Sequence, residues 1–194
     1  MAAGAEFTEK RVSGKIEYTG KVFSVRRDIV ELHTGKRVER EVVEHSGGVV
    51  ILPFTDNGKI LMVRQYRYPL EKTMLELPAG RIEPGERPRA AAKRELSEET
   101  GCTARKLLYM GVIYPSPGFC DEALHMYAAI GLKRGKSHPD EDEHLTMTSV
   151  PLDKVTGMIM SNAIKDAKTL VGITKFLTLM SHAIEESDGE DGGA

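Results

Sequence analysis

Pro88 and Gly101 fence off one helix of about three turns in a stretch that otherwise reads as strands. Proline suits a first helical turn because its missing N–H would have no partner there, and glycine past the last turn takes the left-handed backbone that stops a helix. Before this helix, the runs VFSVRRDIVEL (22–32), RVEREVV (37–43), GVVILPF (48–54) and ILMVRQYRY (60–68) are separated by the turn signals HTGK and TDNGK, which predicts antiparallel strands. After it, KLLYMGVIYPSP (106–117), EALHMYAAI (122–130) and LTMTSVPL (145–152) predict more. From Asp166, the residues Leu170, Ile173, Leu177, Met180 and Ile184 recur at helical spacing, the pattern of an amphipathic helix packed on a sheet. The expected class is α/β.

The first helix carries an unusual charge pattern. Arg87 and Arg89 put positive charge where the helix dipole favours negative, and no Ser, Thr, Asp or Asn directly precedes Pro88, so tertiary contacts must hold that end. At roughly 100° per residue, Glu98 lies about 60° to one side of Glu95 and Glu99 about 40° to the other, so all three share one face. Such neighbours repel by a few tenths of a kcal/mol per pair, roughly, which asks for a cationic partner. Arg94 can neutralise one carboxylate. A hard divalent cation such as Mg²⁺ suits clustered carboxylate oxygens better than a metal that seeks imidazole or thiolate. A solvated acidic face explains the same pattern, and helical geometry alone leaves both readings open. The preceding loop LELPAGRIEPGE (75–86), turning through Pro78, Gly80, Pro84 and Gly85, can bring backbone carbonyls and Glu86 to that face and favours the metal.

Gly80, Glu86, Arg94, Glu95, Leu96, Glu98, Glu99, Gly101 and Cys102 stand at the spacing GX5EX7REUXEEXGU, where U is a bulky aliphatic residue. The segment resembles the Nudix box at every fixed position, with Cys102 at the last U as the one departure, one that touches packing and leaves the chemistry alone. RQYRYP (64–69), LELPAG (75–80) and SPGFCDE (116–122) are similar to the ADP-ribose pyrophosphatase branch, in which a proline falls 16 residues past the closing glycine of the box, as Pro117 does. The likeness runs from about Val22 to Ile184, strongest in the middle.

That resemblance implies an α/β/α sandwich with a mixed central sheet, plus an N-terminal antiparallel β-sheet. It implies that Glu95 and Glu99 are the principal Mg²⁺ ligands, with Mn²⁺ an acceptable substitute, that Glu98 and Glu86 support the cluster, and that the Ala79 carbonyl completes it. Arg94 would orient the glutamates. In the acidic loop HPDEDEHL (138–145), Glu141 would be the catalytic base and Glu143 a further ligand, with exchange of the two roles left open. Arg67 would bind a phosphate and Glu122 lie at the active-site end of the substrate pocket. Tyr18 and Phe23 would stack on adenine, in a homodimer that exchanges N-terminal sheets; an ordinary core or interface role fits these two aromatics as well. The implied reaction is hydrolysis of ADP-ribose to AMP and ribose 5-phosphate. Another nucleoside diphosphate sugar, such as GDP-mannose, or a dinucleotide is the alternative substrate, and a non-catalytic ADP-ribose-binding module is the more distant one.

Composition excludes other classes. Net charge is -2, with no basic footprint for nucleic acid, and no apolar run is long enough to cross a bilayer. Cys102 and Cys120 show no CxxC spacing and the opening residues lack the apolar run of a secretory signal, so a reduced, cytoplasmic protein is expected. His45, His125 and His144 share no metal-ligand spacing. The expected organisation is an N-terminal sheet extension over 1–46 whose first fourteen or so residues are frayed, a catalytic domain over 47–184, and a disordered acidic tail over 185–194.

Overall fold

The computed structural model describes residues 7–135 and 144–190, with side chains through residue 182. It divides into two units, Met1–Gly47 with Tyr114–Ala123, and Gly48–Ile113 with Leu124–Ala194.

The first unit is an antiparallel sheet of β1 (Glu9–Thr19), β2 (Phe23–Leu32) and β3 (Arg37–His45) in that order. The strand β1 departs from the expected frayed N-terminus. All eleven of its residues are exposed; Val12, Ile16 and Tyr18 alternate with polar residues but none of them is buried, and backbone pairing to β2 holds the strand. Asp28 of β2 is buried, and its carboxylate accepts from Arg11 Nε at 2.9 Å and Arg26 Nε at 2.7 Å. Tyr114–Ala123 belongs to this unit through backbone bonds between Val43 and the segment: Val43 N–H donates to Phe119, and Asp121 N–H to Val43.

The second unit is a sheet between helices. Its strands are β4 (Gly48–Phe54), β5 (Lys59–Arg67), β6 (Lys72–Glu76), β7 (Ala79–Arg81), β8 (Cys102–Ile113), β9 (Leu124–Arg134) and β10 (Leu145–Pro151), and its helices α1 (Pro88–Thr100), α2 (Leu152–Met160) and α3 (Ala167–Glu190). The order is β10-β5-β4-β9-β8, with β6 on β5 and β7 on β4. The pairing β4–β9 is parallel and the rest antiparallel, so the sheet is mixed.

Successive residues of β4 point to opposite faces of the sheet, and both faces are covered. Val49 and Ile51 pack with Leu61, Ala91, Ala92, Leu96, Leu107 and Tyr127 under α1. Val50 and Leu52 pack with Ile60, Met62, Leu77, Met126, Ile173 and Phe176 under α2 and α3. Each fully buried aliphatic side chain contributes about 1.5–3 kcal/mol, which fixes α1 against one face whatever its weak N-terminus costs. That end is indeed tied down tertiarily: Arg89 Nη1 donates to the Leu107 carbonyl at 3.0 Å. At the other end Gly101, at φ 66°, donates its N–H to Ser97.

The sequence reading ran the last strand to Leu152 and missed α2, because Thr156 and Gly157 weaken its helical pattern, although Asp153 sits in its first turn. α3 continues to Glu190, past Ile184 where the apolar periodicity ends. Gly172 lets α3 approach the sheet closely: a Cβ there would stand 2.7 Å from Leu77 Cδ1 and 3.0 Å from Met126 Cε. Gly172→Leu is therefore expected to destabilise this unit by about 1–3 kcal/mol, read as a lower midpoint in thermal or urea melts, and an unchanged midpoint would contradict the packing.

Candidate active site

The loop into α1 begins as a strand. Ala79 and Gly80 pair with Val50 and Val49 of β4, and the Pro78 carbonyl accepts from Ile51 N–H at 2.8 Å. Gly85, at φ 80°, then turns the chain, and Glu86 donates its N–H to the Glu83 carbonyl at 2.9 Å. This places Glu86 beside the carboxylates of the helix.

On α1, Glu95 and Glu99 share the inward face with Ala91, Ala92 and Leu96, and they are only 7% and 2% exposed. A solvated acidic face does not fit that burial. Glu98 lies half-buried beside them. The Glu95 carboxylate rests on Gly80, where an added Cβ would come 2.0 Å from its Cδ. Only glycine leaves that seat open.

Arg94 is the hub of the cluster. Its Nε and Nη2 donate to Glu86 at 3.1 and 3.0 Å, its Nη1 to Glu95 at 2.7 Å and Glu98 at 2.9 Å, and its Nη2 also to the Arg81 carbonyl at 2.9 Å. The hydrogen bond to Glu86, followed by the charge of Glu95, raises the Arg94 pKa against its own partial burial, and the same bond holds the Glu86 carboxyl below its usual value. One guanidinium thus meets three carboxylates, and Glu99 makes a fourth.

Among the described residues no three His, Cys, Asp or Glu side chains stand gathered to hold a metal as they are, since Glu86, Glu95 and Glu98 are turned onto Arg94. The residues nonetheless fit a hard divalent cation. Four carboxylates against one arginine leave a formal charge of three negatives, the donors are all oxygen, and two of the carboxylates are buried, which is costly without more positive charge.

Arg67, at the end of β5, makes a two-point ion pair with Glu76: Nε donates to Oε1 at 2.8 Å and Nη2 to Oε2 at 2.6 Å. That bond raises its pKa, with the charge of Glu99 a lesser contribution in the same direction, so Arg67 lies within the field of the α1 cluster. Glu76 was missed by sequence reasoning. A charged residue between the two leucines Leu75 and Leu77 was the available signal.

The remaining expected site residues belong to other parts of the chain. Glu122 belongs to the first unit, with its Oε1 3.6 Å from His45 Nδ1. Tyr18 and Phe23 also belong there, their ring centroids 5.8 Å apart and both exposed. Glu141 and Glu143 lie outside the described residues.

Comparison with known proteins gives the same direction. The chain is 43% identical to an ADP-ribose pyrophosphatase of Bacillus subtilis (strain 168), over 85% of this chain and 90% of that one. It is 40% identical to a methanol dehydrogenase activator of Bacillus methanolicus, over 88% and 93%, and 36% identical to an ADP-ribose pyrophosphatase of Mycobacterium tuberculosis (strain ATCC 25618 / H37Rv), over 87% and 83%. A solved structure, that of an ADP compounds hydrolase, shares the fold at a TM-score of 0.80 and 22% identity, covering 91% of this chain and 96% of that one. The family profile for the NUDIX domain matches residues 44–170. That match takes in more than half of the chain and all of Gly80 to Cys102, and by it the protein belongs to the Nudix family.

Proposed function

We propose that this protein is a Mg²⁺-dependent pyrophosphatase that hydrolyses ADP-ribose, with one water, to AMP and ribose 5-phosphate. The observation that carries the chemistry is the buried pair Glu95 and Glu99, one of them seated on Gly80. The two relatives named ADP-ribose pyrophosphatase support the substrate.

Glu95, Glu99, Glu98, Glu86, Glu143 and the Ala79 carbonyl would hold the metal, with Mn²⁺ able to replace Mg²⁺. When bound, the metal offsets the charge of the pyrophosphate, polarises the attacked phosphorus and makes water a better nucleophile. Arg94 keeps Glu86, Glu95 and Glu98 within reach of one guanidinium, from which their oxygens would turn to the metal. Arg67 spends Nε and Nη2 on Glu76 and keeps Nη1 for a phosphate oxygen. Glu141 takes the proton of the attacking water, and the P–O bond of the bridging oxygen breaks as the new one forms.

Glu122, Tyr18 and Phe23 complete the reading as substrate contacts, the two rings offering exposed faces to adenine. The reading also includes a homodimer in the cytoplasm. The exposed Val12, Ile16 and Val22 of the first unit support a covering second copy, the two free cysteines support a reducing compartment, and no helix among the described residues is long and apolar enough to cross a membrane.

Steady-state kinetics over ADP-ribose, GDP-mannose and a dinucleotide tests the substrate. With saturating Mg²⁺, kcat/KM is expected to favour ADP-ribose by about tenfold or more, the discrimination one or two pocket contacts can supply. A preference for GDP-mannose would end the ADP-ribose assignment. Tight ADP-ribose binding without turnover would favour a non-catalytic module.

A further inference from the structure

Glu76 is more deeply buried than either helix glutamate, with a side chain only 1% exposed. It ends β6 directly before Leu77-Pro78-Ala79-Gly80, the segment that leads to the Glu95 seat. Besides its two bonds from Arg67, its Oε2 accepts from Lys168 Nζ at 2.5 Å. Lys168 Nζ also donates to Asp166 Oδ1 at 2.8 Å. Asp166 Oδ2 caps α3, accepting from Thr169 N–H at 3.0 Å and Thr169 Oγ1 at 2.6 Å, and the same Oγ1 accepts from Leu77 N–H at 2.8 Å.

The circuit therefore starts at Glu76 and closes on the next residue, Leu77. It ties the N-terminus of α3 to the strand that carries the loop, and on its free side it grips Arg67. The charges balance, with Arg67 and Lys168 against Glu76 and Asp166, as the buried Glu76 requires. Burial works against the charge of Glu76, but Arg67 and Lys168 outweigh it and hold the carboxyl below its usual value.

We infer that Glu76 is a positioning residue for the reaction: it aims the Arg67 guanidinium at the substrate phosphate and, through Lys168, Asp166 and Thr169, fixes Leu77 two residues before Ala79. Glu76 is too buried to meet substrate itself. A guanidinium held at two points keeps one orientation, so less freedom is lost when Nη1 meets a phosphate. A neutral amide at this place would leave two partly buried cations facing one carboxylate and free Arg67 to turn away.

The inference rests on the proposed phosphate-binding role of Arg67, and its test separates the two. KM and kcat for ADP-ribose are measured for Glu76→Gln, Arg67→Lys and the double variant. Glu76→Gln is expected to raise KM about tenfold with kcat within about threefold, and to add less than about twofold when Arg67 is already lysine, because the first residue acts through the second. A buttress without a positioning role would lower the melting temperature, leave KM alone and add fully to Arg67→Lys; that result overturns the inference. Should Glu76→Gln fail to fold, Glu76→Asp keeps the charge on a shorter stem, and an unchanged KM there overturns it equally. If the wild type does not cleave ADP-ribose, the proposed function fails by itself. Calorimetric titration with inorganic pyrophosphate then carries the test: about tenfold weaker binding in Glu76→Gln supports the inference, and equal or absent binding in both proteins overturns it.

Discussion

Glu99→Gln is expected to lower kcat by about a hundredfold or more while the fold survives, since losing even an outer-shell partner of a metal costs about 10–100-fold and Glu99 is assigned to the metal directly. The amide has the same shape, so the inward face of α1 around Leu96 can pack as before. It removes one of two like charges at i,i+4, a repulsion of a few tenths of a kcal/mol, roughly, so the metal-free protein should melt at the same temperature or slightly higher. The separating measurement is the rise in melting temperature on adding Mg²⁺, which scales with RT ln(1 + [L]/Kd) and should shrink sharply in the variant. Wild-type turnover at saturating Mg²⁺, or an undiminished rise, would contradict the assignment of Glu99.

What the sequence made legible is what local spacing carries. Pro88 and Gly101 mark α1 because helix ends are set by residues within one turn of them, and β4 runs over the same 48–54 read from its apolar run. Arg94 and Glu98 meet because i,i+4 neighbours on a helix must. The inward turn of Glu95 and Glu99 was not fixed by periodicity, since the arc of three glutamates has no sidedness until Ala91, Ala92 and Leu96 are known to face the sheet. The partners of Glu76 were beyond reach for another reason: Lys168 is 92 residues away, and nothing local announces the pairing. The backbone bonds that bring Tyr114–Ala123 to Val43 involve no side chain and leave no mark in the sequence. β1 does leave one, Val12, Ile16 and Tyr18 alternating with polar residues, although its side chains are all exposed and it pairs through its backbone.

Gly80→Ala is expected to cost catalysis far more than stability. Gly80 has no positive φ, so its backbone accepts alanine; what the methyl group meets is the Glu95 carboxylate, 2.0 Å from Cδ and 2.3 Å from Oε2. Those atoms are the end of a flexible side chain, so the clash is relieved by moving them, at about 1–3 kcal/mol for an overpacked site. The movement takes the carboxylate off its seat and off Arg94 Nη1, to which it is bonded at 2.7 Å. Misplacing a reacting or ligating group by about 1 Å can cost about a hundredfold in rate, and a loss of that order in kcat/KM is expected here. Adding Glu95→Asp, whose shorter stem makes room for the methyl group, should recover part of the activity that Gly80→Ala loses, although alone it should impair the wild type. If Gly80→Ala keeps full activity, Glu95 is not held by that seat. If the loss comes with collapse of the melting transition and Glu95→Asp recovers nothing, the glycine serves the β4–β7 pairing and the site merely follows it.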